Sequence, residues 1–158
     1  MGAAEDEELR KAQKPRASLS QVLEFALKEF GLSAEEEDVK NLDSYDDQNF
    51  FICNSLKAET NSADQPMNKK FLFKIHNGVE SKNTTFLEAQ NAALLYLSKK
   101  GFNVSVPQQT LSGEWYAEIV LTSPKDVNST GNEEKEKGLK KLKVKEQQRH
   151  VVRLFSWV

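Results

Sequence analysis

Residues 71–77 read FLFKIHN, an apolar run of strand length with a lysine inside it. Side chains alternate on a strand, so Phe71, Phe73 and Ile75 share one face while Leu72, Lys74 and His76 take the other. The first face can pack on a helix, and the second would then look into a cleft. Two readings of Lys74 compete. It is either an edge-strand lysine that discourages sheet-to-sheet pairing, or a lysine that contacts phosphate.

The flanking segments predict an α+β fold. Residues 1–16 are polar and read as a disordered tail, with one domain over 17–158. Ser18 and Gln21 make a capping-box pair, Leu19, Val22, Leu23, Ala26, Leu27 and Phe30 follow at helical spacing, and Gly31 supplies the stop. A strand at 38–43, the polar segment SYDDQN at 44–49 and a second strand at 50–53 form a hairpin with a long tip. After a polar connection (54–69) and FLFKI comes a helix over about 85–100, with Thr85 and Glu88 as its capping box. Its apolar residues run round most of the circumference, which predicts cover on more than one side. Strands at 103–109 and 114–121, a charged insertion at 122–148 read as a solvated loop, and the closing strand VVRLFSWV complete the chain. The expected architecture is a five-stranded antiparallel sheet with a packed helix and an additional N-terminal helix.

Composition narrows the function classes. At 158 residues the chain is about one domain, and a net charge of −2 gives no electrostatic case for nucleic acid or an acidic membrane surface. No apolar run approaches the ~20 residues of a membrane span. The N-terminus lacks a signal-peptide core, and Asp6 stands where a myristoylation motif wants Ser or Thr. Cys53 is the single cysteine, so no internal disulfide forms. The expectation is a cytoplasmic protein with no membrane and no nucleic-acid partner.

Glu88 lies fourteen residues beyond Lys74, in the first turn of the apolar helix. In protein-kinase-like lobes a strand lysine contacts nucleotide phosphates and is held by a glutamate of the following helix, beneath a hairpin tip. The order hairpin tip, strand lysine, helix glutamate is complete here. Each piece also has a plainer explanation: an edge lysine, a capping-box glutamate, and a turn rich in Asp and Asn. SYDDQN has no glycine, so a generic phosphate-loop argument fails.

The wording of SYDDQNFF, FLFKIHN followed by SKN, EAQNAALLYL and GFNVSVP resembles the N-terminal part of the hydroxylysine kinases, within the aminoglycoside phosphotransferase family. The resemblance spans about residues 18–121 and resumes at VVRLFSWV. It implies a protein-kinase-like N-lobe and, for the full-length family, phosphorylation of 5-hydroxy-L-lysine by GTP with Mg2+. Lys74 then corresponds to the phosphate-contacting lysine and Glu88 to its partner, with the two expected within roughly 4 Å when the helix is in its active position. Ser44, Tyr45, Asp46, Asp47, Gln48 and Asn49 correspond to the loop over the nucleotide. Leu72 would touch the base, and Phe155, Ser156 and Trp157 would approach the hinge.

The chain departs from that pattern in one respect. The family's catalytic loop contains His-Gly-Asp followed by Asn, and a further Asp binds magnesium. Here His76 precedes Asn77-Gly78 and His150 precedes Val151-Val152. The expectation is therefore an N-lobe without its C-terminal catalytic lobe, inactive alone, with no catalytic and no metal residues. Its lobe face, with Leu72 and Trp157, is expected to be exposed and to self-associate. The alternatives are a non-catalytic short isoform that binds nucleotide or a partner, and a small α+β interaction domain.

Overall fold

Phe73 has no exposed surface, and the rings of Phe25, Phe30 and Phe50 meet it edge-on at centroid distances of 6.2, 6.2 and 6.4 Å. The fold is arranged around this contact. The computed structural model describes residues 2–54, 69–123 and 146–158. Among them are helices α1 (Ala3–Ala12), α2 (Leu19–Phe30) and α3 (Thr84–Lys99). The strands are β1 (Val39–Leu42), β2 (Gln48–Asn54), β3 (Lys69–Ile75), β4 (Pro107–Gln108), β5 (Ala117–Ser123) and β6 (Glu146–Ser156). All six form one antiparallel sheet in the order β1-β2-β3-β6, with β4 and β5 sharing the far edge of β6.

Alternation in β3 is as the sequence predicts. Phe71, Phe73 and Ile75 are buried and join Phe50, Ile52, Val152 and Leu154 beneath Val22, Ala26 and Phe30 of α2. Ser18 caps α2: its hydroxyl accepts from Gln21 N, and Gln21 Oε1 accepts from Ser18 N. Gly31, at φ 67°, closes the helix in the left-handed region. The opposite face of the sheet carries Leu72, Lys74 and Arg153, and α3 lies there, reached by the Arg153 guanidinium.

Several expectations require correction. Residues 3–12 are helical rather than a disordered tail. This helix is held by polar contacts and not by an apolar stripe, so periodicity could not reveal it. The sheet has six strands and not five, because β4 and β5 each pair with a different stretch of β6. The strand expected over 103–109 shrinks to Pro107–Gln108. The hairpin tip is 43–47, since Gln48 and Asn49 already pair with Ile75 and Lys74. The cap of α3 is Asn83, whose side chain accepts from Phe86 N, in place of the Thr85/Glu88 box. Only Leu87 and Asn91 of α3 are buried, while Phe86 and Tyr96 are exposed, so the helix is covered on one side. Of the proposed insertion, 122–123 and 146–148 are strand residues, and 124–145 lie outside the described residues.

Candidate functional site

Asp47 ends the hairpin tip one residue before β2, and the residue is 7% exposed. Oδ1 accepts from Asn77 N at 2.8 Å, and Oδ2 forms an ion pair with Nζ of Lys74. Burial pushes the Asp47 carboxyl up, but the Lys74 ammonium and the Asn77 amide outweigh it and hold the group below the usual carboxylate range. In the ladder, Lys74 faces Arg153 of β6. Two like charges opposite each other are unfavourable unless each has partners. Lys74 has Asp47. Arg153, 4% exposed, donates Nε to His76 Nε2 (2.9 Å), Nη1 to Asn91 Oδ1 (2.9 Å) and the Leu87 carbonyl (3.3 Å), and Nη2 to Gln90 Oε1 (2.7 Å).

Helix α1 buttresses the tip. Arg10 pairs with Asp46 and, at 3.3 Å, with Glu80; Lys14 Nζ donates to the carbonyls of Ser44 (2.7 Å) and Tyr45 (2.9 Å). Tyr45, itself exposed, donates its hydroxyl to Glu7. Asn77, with no exposed surface, donates Nδ2 to the Arg10 and Asp46 carbonyls and accepts from Val79 N. Gly78 N donates to the Gln13 carbonyl, and a Cβ at residue 78 would lie 2.8 Å from Gln13 Oε1, so the approach of α1 favours glycine there.

The structure brings together some of the expected site residues and separates others. Lys74, Asp47 and Asn49 converge, with Asn49 opposite Lys74 and its Oδ1 buried without a partner. Gln48 points elsewhere: its amide clamps both backbone groups of Ala17. Glu88 is exposed, and among the described residues Lys74 makes its ion pair with Asp47 and not with Glu88. The tip carboxylate folds back onto the strand, and Arg153 reaches α3 through Leu87, Gln90 and Asn91. Leu72 is half-buried on the Lys74 face. Phe155 is buried with the Arg153 guanidinium 4.9 Å above its ring. Ser156 pairs with the backbone of Val106, and Trp157 packs edge-on against Phe51 at 4.9 Å. A cavity of about 610 Å³ opens beside the tip, lined by Lys14, Arg16, Ser18, Asn41, Ser44 and Asp47 among others, but Lys74 does not line it.

Asp47, His76 and Glu80 offer ligand atoms within 4.8 Å of one another, and a divalent cation such as Mg2+ can be tested against them. They do not fit. Both Asp47 oxygens are engaged, Glu80 Oε1 is held by Arg10, and His76 Nε2 already accepts from Arg153. His76 is neutral, because burial and the charge of Arg153 lower its pKa to about 3. Its proton therefore sits on Nδ1, 3.5 Å from Glu80 Oε2, and leaves no lone pair for a metal.

Sequence reasoning missed Arg10, His76, Asn77, Glu80 and Arg153. A usable signal existed for Arg153, because VVRLF repeats the pattern of FLFKI: one cation inside an apolar strand.

No family model matches the chain, and no solved structure matches it. Among curated proteins it is similar to a hydroxylysine kinase of Danio rerio, 32% identical over 104 residues. The match covers 66% of this chain and 26% of that protein, so the chain spans about a quarter of its relative's length. Together with the α+β architecture, the similarity supports a distant kinase-like relationship and a phosphotransferase-like origin.

Proposed function

We propose that the chain is the nucleotide-binding N-lobe of a hydroxylysine kinase-like phosphotransferase. The observation that carries this reading is the convergence of the hairpin tip and the strand lysine through Asp47 and Lys74, supported by the similarity to hydroxylysine kinase. A partly exposed ammonium beneath a polar tip suits the oxygens of a nucleoside triphosphate. Asn49, with its unpartnered buried oxygen, lies beside it. In this reading the nucleotide is GTP and the acceptor of the complete enzyme is 5-hydroxy-L-lysine. The chain alone transfers no phosphoryl group, because neither histidine heads a His-Gly-Asp segment.

Calorimetry of the purified chain with GTP and with ATP tests the proposal. Saturable binding that is lost in Lys74→Met is expected, with no product from hydroxylysine. No binding of either nucleotide, or turnover abolished by Lys74→Met, would overturn it.

A further inference from the structure

We infer that the outer edge of β5 is an interaction surface, and that it takes a second copy of this chain, paired antiparallel about a twofold axis at Val120. The inference does not depend on the nucleotide reading.

The direction of the backbone groups on β5 follows from its partner strand. Val151 donates its N–H to Ser81 Oγ, and its carbonyl accepts from His76 N, so both groups point away from β5. Val151 is the register partner of Glu118, which makes the two a non-hydrogen-bonded pair. Glu118 therefore turns both of its own groups outward, and alternation extends this to Val120 and Thr122. Among the described residues, none pairs with the backbone of these three.

The two ends of the sheet differ. β1 is four residues long and carries the exposed Lys40, two features that discourage strand pairing. β5 is seven residues long and has neither lysine nor proline. Its one charge, Glu118, is paired with Arg149 at 3.3 Å. Val120, 51% exposed, stands at the middle of the strand.

A second copy fits because the outward groups centre on Val120. With the axis there, Val120 exchanges both bonds with its counterpart, and Glu118 exchanges both with Thr122 of the second copy, about six bonds in all. Valine faces valine, and each Glu118 faces a threonine in place of another carboxylate. On the inner face the buried Ile119 meets Leu121 of the second copy, which carries the core across the join. An unrelated extended peptide would find the same bonds without this symmetry. The edge lies beyond β3 and β6 from the hairpin tip, so pairing leaves the tip and Lys74 clear.

The test uses the whole 158-residue chain with Cys53→Ser as background. Sedimentation equilibrium is expected to show a concentration-dependent dimer. Val120→Pro removes only an outward N–H that the β6 ladder does not use, and Val120→Lys sets two ammonium groups face to face. Each is expected to weaken the dimer at least about tenfold while the monomer stays folded. Register is read with oxidised glutathione. In the proposed pairing the Cα atoms of Val120 and its counterpart are about 5.5 Å apart, within disulfide reach. Those of the two Thr122 residues are about 13 Å apart. Val120→Cys is therefore expected to form a disulfide dimer at least about tenfold faster than Thr122→Cys. A chain that is monomeric at every concentration, a dimer indifferent to Val120→Lys, or equal cross-linking of the two cysteine variants overturns the inference. If Val120→Pro does not fold, Val120→Lys and the cysteine variants decide it.

Discussion

Arg153 and His76 are joined by a 2.9 Å bond from Nε–H to Nε2, so a buried imidazole is held as an acceptor for a buried cation. Protonating His76 would place two donors face to face. The imidazole pKa falls to about 3, first through burial and then through the charge of Arg153. Below the ordinary histidine value the unfolded chain takes up a proton that the folded chain refuses. Stability therefore drops as pH falls from about 6.5 toward 3, by on the order of a few kcal/mol. His150, whose pKa burial also lowers, acts in the same direction. Urea unfolding at pH 7, 5.5 and 4 measures the slope. His76→Gln, which keeps an acceptor for Arg153, should flatten it; an unchanged slope in that variant would contradict the assignment.

Removing the guanidinium should release α3. Arg153→Met keeps an apolar stem but strips the donors from His76, Gln90 and Asn91. The expected cost is about 1–3 kcal/mol, because buried neutral acceptors are left without a donor. Arg153→Lys should recover only part of it, because an ammonium cannot reproduce the fork. Hydrogen exchange would show α3 amides losing protection more than those of α2. Equal loss in both helices would argue against a specific tether.

Helix α1 should undock alone. It has ten residues, too few for stability in isolation, and is held mainly through Arg10, by Asp46, Glu80 and Asn77. Arg10→Ala is expected to bring amides 3–12 to near-unprotected exchange while costing roughly 1–2 kcal/mol overall, since the pairs are partly exposed. Retained protection across α1 would show that the ion pairs do not hold it.

The aromatic centre sets a contrast in cost. Phe73→Ala should destabilise by about 3–5 kcal/mol, because it empties a site bordered by three rings. Phe86→Ala, on the open face of α3 at 53% exposure, should stay within about 0.5 kcal/mol. Denaturant midpoints of the two variants decide the matter.

Much of the sheet was legible because alternation is local. FLFKI states which side chains are buried without knowledge of any neighbour, and Ser18, Gln21 and Gly31 mark both ends of α2 within one segment. The partner of Lys74 was not legible, since Asp47 and Glu88 are both carboxylates within plausible reach and only the fold of the tip chooses between them. Helix α1 was hidden for a related reason. Its sequence lacks an apolar stripe, and what stabilises it are groups 36 and 70 positions away.

The placement of β6 bears on how the chain reaches this fold. Its bonds tie residue 150 to 76 and residue 151 to 81, separations of 74 and 70 positions. Strands β1 to β3 can zip as successive hairpins, whereas β4 and β5 gain a place in the sheet only through β6. Strand β6 is thus the keystone between two halves that otherwise do not pair. High contact order of this kind slows folding. Until residues 146–156 arrive, β3 presents an open edge carrying Phe71, Phe73 and Ile75, a template for pairing with another chain. A nascent chain paused before that point is at its most aggregation-prone, and Lys69, Lys70 and Lys74 on the same strand are the charges that oppose such pairing.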